Sequence, residues 1–212
     1  ILLVGNDPPA TDLYTVYARI SLDGIRAFRL DALTHDSLPG SGPGRGDAKR
    51  TNVVVNEFSV ALQSAGVQEQ ELPFVTARAD FSQDQWDVLG AIDDDPKTGW
   101  AIAPQFGRSH WATFILEEPL DARHDAHLVI RLTHRFGSAR SIGRFRLSAV
   151  TGDLDAATVP AEILTTVRKS SAEWSRDERK QLLGYRAEQD SEIGALSRDI
   201  ANLEKEIGKP AP

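Results

Sequence analysis

The chain has 212 residues, of which 41% are hydrophobic and 26% are charged, and its formal net charge is −7. These values suit one globular domain with its own core plus an appendage. The acidic balance argues against a nucleic-acid-binding protein. Because the sequence contains no cysteine, disulfides, thiolate catalysis, cysteine-based zinc sites and covalent c-type haem attachment are excluded.

The N-terminus is a short apolar stretch, and the sequence contains no methionine, not even at position 1. The opening letters ILLVG are too few for a signal peptide or a transmembrane span. We therefore expect an excised or processed segment of a larger protein, without membrane insertion.

The first 150 residues are predicted to be mainly β. Seven segments either alternate apolar and polar residues or are rich in β-branched residues, namely 12–20, 24–33, 52–62, 72–81, 110–118, 127–134 and 142–150. Glycine, proline, aspartate and serine separate them, which is typical of an antiparallel β-sandwich or jelly roll. Strands do not alternate with helices, so a dinucleotide-binding fold is disfavoured.

A long glycine- and proline-rich segment, residues 34–52, has no apolar periodicity. Loops of this length are usually functional or disordered. Its second half is locally basic, with Arg45, Lys49 and Arg50.

The pattern changes after residue 150, and we predict a β-domain over 1–152 and a helical arm over 153–212. A short helix is expected at 158–170, with Pro160 in its first turn. Ser175 and Glu178 have the spacing of a capping box, which predicts the start of a long helix that reaches about Ile207.

The end of that predicted helix carries an apolar heptad seam, formed by Ile193, Leu196, Ile200, Leu203 and Ile207. The seam must pack against another surface. Packing within the chain or against a missing segment is favoured, and self-association as a coiled coil is the alternative.

The sharpest polar feature is the stretch AIDDDPKTGW, residues 91–100. Calcium prefers six to eight oxygen ligands, which carboxylates and loop carbonyls can supply together. The spacing does not match an EF-hand loop, and the alternative is a tight turn in which Asp93 or Thr98 bonds nearby backbone amides. Both interpretations stay open, with Asp93, Asp95 and Thr98 as the candidate calcium ligands.

No catalytic constellation is recognisable in the sequence. Nothing pairs two carboxylates across one sugar bond, and the Gly-x-Ser-x-Gly elbow and the HExxH zinc motif are both absent. We therefore predict a protein that is not an enzyme, and a hydrolase is strongly disfavoured.

Three tryptophans flank the acidic stretch. Exposed aromatic rings can stack on sugar rings, but tryptophans in a sandwich of this size are more often core residues. We assign Trp100 and Trp111 to the core and Trp86 to a possible stacking platform. Arg108 and His110 lie on a predicted loop just beyond, where ligand contacts are more plausible.

The segment AIDDDPKTGWAI, followed by HWATFIL, resembles the A-x-D-G-D-x-x-T-x-W signature of galactose-binding-like β-sandwiches, the discoidin and coagulation-factor C-type superfamily. Further motifs, including ISLDGIRAFRLDAL, VVVNEFSVAL and SIGRFRLSAV, resemble a segment of large planctomycete-type proteins. In those proteins, domains of unknown function follow cytochrome-c-like domains. The resemblance covers nearly the whole chain.

The resemblance implies a galactose-binding-like jelly roll, a class of mostly non-catalytic modules that often bind glycans and often hold a structural calcium ion. The haem motif of the parent proteins is absent, so no haem is expected in this segment. Asp94 stands where the signature has glycine, and a residue other than glycine is disfavoured at positive φ.

The sequence therefore predicts an extracytoplasmic, carbohydrate-binding module whose ligand meets loops at one end of the sandwich. The candidate ligand-binding residues are Arg45, Trp86, Arg108, His110 and Arg135. The expected partners are a glycan and the flanking domains of the parent protein. The alternative is a structural spacer that mediates contacts between neighbouring domains or subunits.

Overall fold

A computed structural model describes residues 1–3, 7–121, 126–154 and 159–189. It divides into two compact units, Ile1–Thr158 and Val159–Pro212. The first unit is mainly β and antiparallel. Its strands are β1 (Asp12–Arg19), β2 (Ile25–Ala32), β3 (Val54–Val55), β4 (Glu57–Ser64), β5 (Gln70–Glu71), β6 (Phe74–Ala79), β7 (Trp100–Ala101), β8 (His110–Leu120), β9 (Ala126–His134) and β10 (Phe145–Thr151).

Two four-stranded sheets form the body of this unit. Sheet I has the order β1-β9-β4-β5 and sheet II the order β10-β2-β8-β6, while β3 and β7 form a separate two-stranded ribbon. The strand pairs in all three are antiparallel. Six of the seven predicted strands are therefore confirmed, with ends that differ by a few residues, and the seventh, at 52–62, is divided into β3 and β4.

The core lies between the two sheets, as the alternating sequence pattern requires. Phe58 of β4 and Phe114 of β8 are fully buried and stack across the gap, with ring centroids 4.1 Å apart. Trp100 is fully buried in this core, as predicted. Trp111 is also buried, but outside this core, where the guanidinium of Arg29 lies 4.8 Å from the centroid of its ring. A sandwich packed in this way needs neither a disulfide nor a metal to hold its layers together.

The predicted strand 52–62 is divided in two by Asn56. Val54 and Val55 pair with β7, whereas the chain from Glu57 onward pairs with β9. Gly99 allows this close arrangement, because a Cβ atom on it would lie 2.6 Å from the carbonyl oxygen of Val55. Period-two patterning cannot show such a change of partner, since both pieces remain apolar and extended.

The long segment 34–52 is packed against its neighbours. Pro39–Ser41 forms a 3-10 turn, Gly44 bridges to Ile142, and the amide of Arg45 donates to the carbonyl of Ser141 at 3.1 Å. Glycine is required at position 44 because a Cβ atom there would lie 2.5 Å from the carbonyl oxygen of Asn52. The glycine content of this loop therefore serves close packing.

The second unit contains α1 (Ala161–Val167) and α2 (Arg176–Gln189). Pro160 is the N-cap of α1, close to its predicted place. The capping box at the start of α2 is confirmed: the amide of Glu178 donates to Ser175 Oγ at 3.1 Å, and the amide of Ser175 donates to Glu178 Oε2 at 2.8 Å. The heptad seam at 193–207 lies outside the described residues.

Candidate functional site

The loops that carry the predicted site residues emerge at one end of the sandwich, here called the loop end. In sheet I the register pairs Asp12 with His134 and Glu57 with Thr133, so β1 and β4 begin where β9 ends. In sheet II, Ala32 is opposite both His110 and Phe145. The loop end therefore contains the segments 7–11, 33–56, 80–109 and 135–144. The eight predicted site residues lie on these segments or at the first residue of a strand that they join.

Asn56 is the centre of the loop end. Its side-chain oxygen accepts hydrogen bonds from the amides of Arg135 and Phe136, at 2.7 and 3.0 Å. Its side-chain nitrogen donates to the carbonyls of Pro96 and Thr98, at 3.3 and 2.8 Å. A single buried amide thus satisfies four backbone groups and fixes the acidic corner against the loop after β9.

The acidic corner itself is a closed hydrogen-bonded turn. The Thr98 hydroxyl lies 2.8 and 2.9 Å from the two carboxylate oxygens of Asp93, and the amide of Asp95 donates to Asp93 Oδ1 at 3.0 Å. The amide of Lys97 donates to Asp95 Oδ1 at 2.9 Å. These are the local side-chain to backbone bonds that aspartate forms in turns.

Asp94 lies in the left-handed region of the backbone, with φ of 61°. Aspartate is among the few residues that enter this region at modest cost. The turn therefore accommodates a residue with a side chain at this position.

A calcium site at the acidic corner would need several oxygen ligands around one point. In the part of the chain that the structure describes, no point brings together three or more histidine or carboxylate side chains in an arrangement that could hold a metal. The oxygens of Asp93 and Asp95 already accept hydrogen bonds within the turn. The geometry of the described residues thus fits a turn better than a calcium cage.

Glu57 lies beside this corner at the first position of β4. Burial, together with the negative charges of Asp94 and Asp93, raises its pKa from 4.5 to about 7. The guanidinium of Arg135 partly offsets this rise. Near neutral pH the Glu57 carboxyl therefore exists in both states and can donate or accept a hydrogen bond.

Two aromatic rings lie next to one another at the loop end. Trp86 is partly buried, and Phe136 remains 48% exposed. Their centroids are 5.2 Å apart in an edge-to-face arrangement. The guanidinium of Arg140 lies 5.4 Å from the centroid of Phe136. We call Trp86, Phe136 and Arg140 the aromatic platform.

The loop that carries Trp86 is held by a second buried asparagine. Asn52 donates to the side-chain oxygen of Gln83 at 3.1 Å and accepts from the amides of Val53 and Ile102. The amide of Gln83 donates to Ala101, and the amide of Ala101 donates to Trp86. The tryptophan therefore projects from a loop tied to the ribbon of β3 and β7, which favours a pre-formed ligand surface.

The predicted ligand residue His110 begins β8 and has a fully buried side chain. Its Nε2 donates to the carbonyl of Gln105 at 2.8 Å, and its Nδ1 lies 2.9 Å from Asp80 Oδ2. Both ring nitrogens are therefore engaged inside the protein. Arg108, with a side chain that is 60% exposed, lies 3.6 Å from the same carboxylate and is the accessible member of this group.

Arg45 is held inside the loop end and presents little surface. Its Nη1 donates to Tyr14 Oη at 3.2 Å and to Asp12 Oδ2 at 3.3 Å. These contacts connect the loop 33–56 to the start of β1. Arg135, in contrast, has an exposed side chain close to Glu57.

The structure adds four residues that the sequence prediction of the site did not include, namely Asn56, Glu57, Phe136 and Arg140. Asn56 and Glu57 fell within a predicted strand, where their side chains carry no signal of their own. Phe136 and Arg140 lie far from Trp86 in sequence, and the antiparallel return of β9 to the loop end brings them beside it.

Comparison with known proteins adds no relative: no family model, no curated protein and no solved structure matches this chain. The geometry of the loop end is therefore the basis for the function proposed below.

Proposed function

We propose that this protein is a non-catalytic carbohydrate-binding module and that the aromatic platform is its ligand surface. The observation that carries the proposal is the pair of accessible rings, Trp86 and Phe136, on loops fixed by buried asparagines. Sugar rings offer apolar faces that stack on aromatic side chains, while their hydroxyls bond nearby polar groups.

The loop end carries charged groups of both signs, which suit the recognition of hydroxyls. Arg140 contacts Phe136, and Asn56 binds the backbone that carries Arg135. Glu57 and Asp94 supply acceptors on the side of the acidic corner. Such groups bind the vicinal hydroxyls of a sugar by charge-assisted hydrogen bonds. Among the predicted ligand residues, the proposal retains Trp86, Arg135 and Arg108 and leaves out the enclosed His110 and Arg45.

We further propose that the sandwich is a jelly roll of the galactose-binding-like type. The chain passes from one sheet to the other between β1 and β2 and between β9 and β10, which supports a topology of this kind. The motif resemblance supports an extracytoplasmic segment of a larger multidomain protein, with its flanking domains as partners. Among the described residues, no helix is long and apolar enough to cross a membrane.

The test is a glycan array of neutral and acidic polysaccharides, followed by isothermal titration with the strongest ligand. Trp86→Ala and Phe136→Ala are expected to weaken binding by about tenfold, because stacking contributes about 0.5–1.5 kcal/mol beyond the apolar area that it buries. Tyr17→Ala is the matched control, since Tyr17 is 64% exposed on β1 and faces away from the core. Absence of binding across the whole array, or an equal loss in the control, would contradict the proposal.

Calcium binding is a separate proposal that rests on the resemblance. A bound ion that is released by a chelator would lower the midpoint of thermal unfolding. No change in the midpoint, together with no calcium in the purified protein, would refute it. Asp93→Asn gives a second check, since it removes a proposed ligand charge while the side-chain oxygen can still accept from Asp95.

A structural spacer is the second candidate, and the helical unit favours it. Leu183 on α2 is 69% exposed, and Val167 at the end of α1 is also exposed. Exposed apolar side chains on a helix suit contacts with a neighbouring domain or a second copy. Sedimentation equilibrium should then show self-association that Leu183→Lys reduces, whereas a monomer at all concentrations would argue against self-association.

A further inference from the structure

A second ligand site is suggested by a crevice along the side of the sandwich, which begins beside Leu33 and Arg144 at the loop end and continues along β1 and β10. It lies between β1 and β10, the edge strands of sheets I and II. Its volume is about 560 Å³, which falls within the range of about 300–1,000 Å³ typical of small-molecule pockets. We call it the edge crevice.

The edge crevice is apolar because the two sheets do not close over their own core here. Val16 and Ala18 on β1, and Leu147 and Ala149 on β10, pack against the core but remain partly exposed. On the central strands, the inward-facing Val60 and Phe114 are completely buried. The crevice is thus an opening into the apolar interior, with a volume that suits an alkyl chain.

The rim of the edge crevice is cationic. Three arginines line it and no carboxylate does, although the whole chain has a formal net charge of −7. Arg146 binds Asp31 through Nε at 3.1 Å, and Arg144 donates to the carbonyl of Thr34 at 3.0 Å. Arg19 is the last residue of β1 and lines the crevice, although its side chain leaves the strand on the outer face and must fold over the edge to reach the opening. It is exposed and forms no ion pair within the part of the chain that the structure describes.

We propose that the edge crevice binds the acyl chain of a fatty acid, with the carboxylate held by Arg19 at the rim. The apolar walls select a flexible alkyl chain, and the cationic rim selects an anionic head group. This ligand differs from the glycan of the loop end, and the two proposals stand or fall separately.

The experiment is isothermal titration of the full chain with octanoate, decanoate and dodecanoate below their micellar concentrations. We expect one saturable site, with an affinity that increases by about threefold to fourfold for each added methylene. 1-Dodecanol should bind at least about tenfold more weakly than dodecanoate, because it lacks the charge that Arg19 would hold. No saturable binding of dodecanoate, or equal binding of the alcohol, would overturn the proposal.

Matched variants locate the site. Ala18→Trp should abolish dodecanoate binding by filling the crevice, whereas Thr15→Trp places the same ring on the outer face of the same strand and should not. Arg19→Gln should weaken binding by about tenfold, while Arg168→Gln, in the helical unit, should leave it unchanged. Equal affinities within either pair would contradict the proposal. A dimer that Ala18→Trp dissociates but dodecanoate does not affect would also contradict it, because the crevice would then be an interface between two copies of the chain.

Discussion

The loop end and the edge crevice are two openings of one sandwich, but they are built in opposite ways. At the loop end, buried amides such as Asn56 satisfy backbone groups from several loops and hold polar and aromatic side chains at the surface. At the edge crevice, β1 and β10 are each paired on one side only, and apolar side chains such as Leu147 lack a complete cover. The rigidity of the loop end depends on hydrogen bonds. The shape of the edge crevice depends instead on how the two sheets are placed relative to one another at their edge strands.

The largest expected effect concerns the hydrogen bonds of the loop end. Asn56→Ala leaves two amides and two carbonyls without their partner, and we expect a loss of about 3–4 kcal/mol in the free energy of unfolding. Urea denaturation measures this loss. Gln63→Ala, at an exposed position of β4, should change it by less than about 0.5 kcal/mol. A loss below about 1 kcal/mol for Asn56→Ala would show that water replaces these bonds freely.

The second prediction concerns the crevice wall. Leu147→Ala should cost about 1–2 kcal/mol, because the side chain is only partly buried and the wall already borders an opening. Leu132→Ala, on the fully buried face of β9, should cost about 3–5 kcal/mol. Chemical denaturation of both variants compares them. Equal losses would mean that the crevice is closed in solution.

The third prediction uses the pKa of Glu57, which is raised from 4.5 to about 7 in the folded protein. Its contribution to stability is complete below pH 4.5 and is lost as the pH rises through 7. After allowance for solvent screening, the loss is about 1–2 kcal/mol. Denaturation of wild type and Glu57→Gln between pH 4.5 and 8 measures this loss. The free energy of unfolding of wild type, relative to that of Glu57→Gln, should fall as the pH rises through 7.

The buried His134 changes stability with pH in the opposite direction, and its contribution must be separated from that of Glu57. His134 donates from Nδ1 to the carbonyl of Val54, and burial lowers its pKa from 6.5 to about 4. Stability from this group is complete above pH 6.5 and is lost as the pH falls through 4. Because His134 is present in both proteins, the comparison with Glu57→Gln cancels it. A pH-independent difference between them would contradict the raised pKa of Glu57.

The smallest expected effect concerns the backbone of the acidic corner. Asp94→Gly should stabilise the protein by about 0.5 kcal/mol, because glycine adopts φ of 61° without strain. Asp94→Ala should destabilise it by about 1 kcal/mol. Both variants remove the same charge, so the difference between their thermal midpoints isolates the backbone effect. Equal midpoints would show that this conformation is not strained for a side chain.

The sequence predicted the regular part of the fold because period-two patterning directly reports which face of a strand is buried. The strands at 12–20, 24–33 and 127–134 agree with the structure to within about two residues. The two-residue strands β5 and β7 were not predicted, because such short pieces carry no periodicity, and β3 was predicted only as part of the strand at 52–62. The capping box at Ser175 was predicted correctly, since both of its partners are local in sequence.

The candidate site was only partly predictable from the sequence. Trp86 could be selected because it lies beside the acidic corner, but Phe136 reaches it only through the return of β9. His110 was expected on a loop, yet its ring is enclosed by Asp80 and Gln105. Neither partner is adjacent to it in sequence, so no local pattern could show this. The hydrogen bonds of Asn56 have the same origin in tertiary structure.

The most direct test of the central claim follows the indole N–H signals of the four tryptophans by nuclear magnetic resonance during glycan titration. Trp100 donates to Phe81 and Trp174 to Thr166, so their signals report the interior and the helical unit. A carbohydrate that binds the aromatic platform should shift the Trp86 signal in a saturable manner and leave those of Trp100 and Trp174 in place. A saturating glycan that leaves Trp86 unshifted would contradict the account.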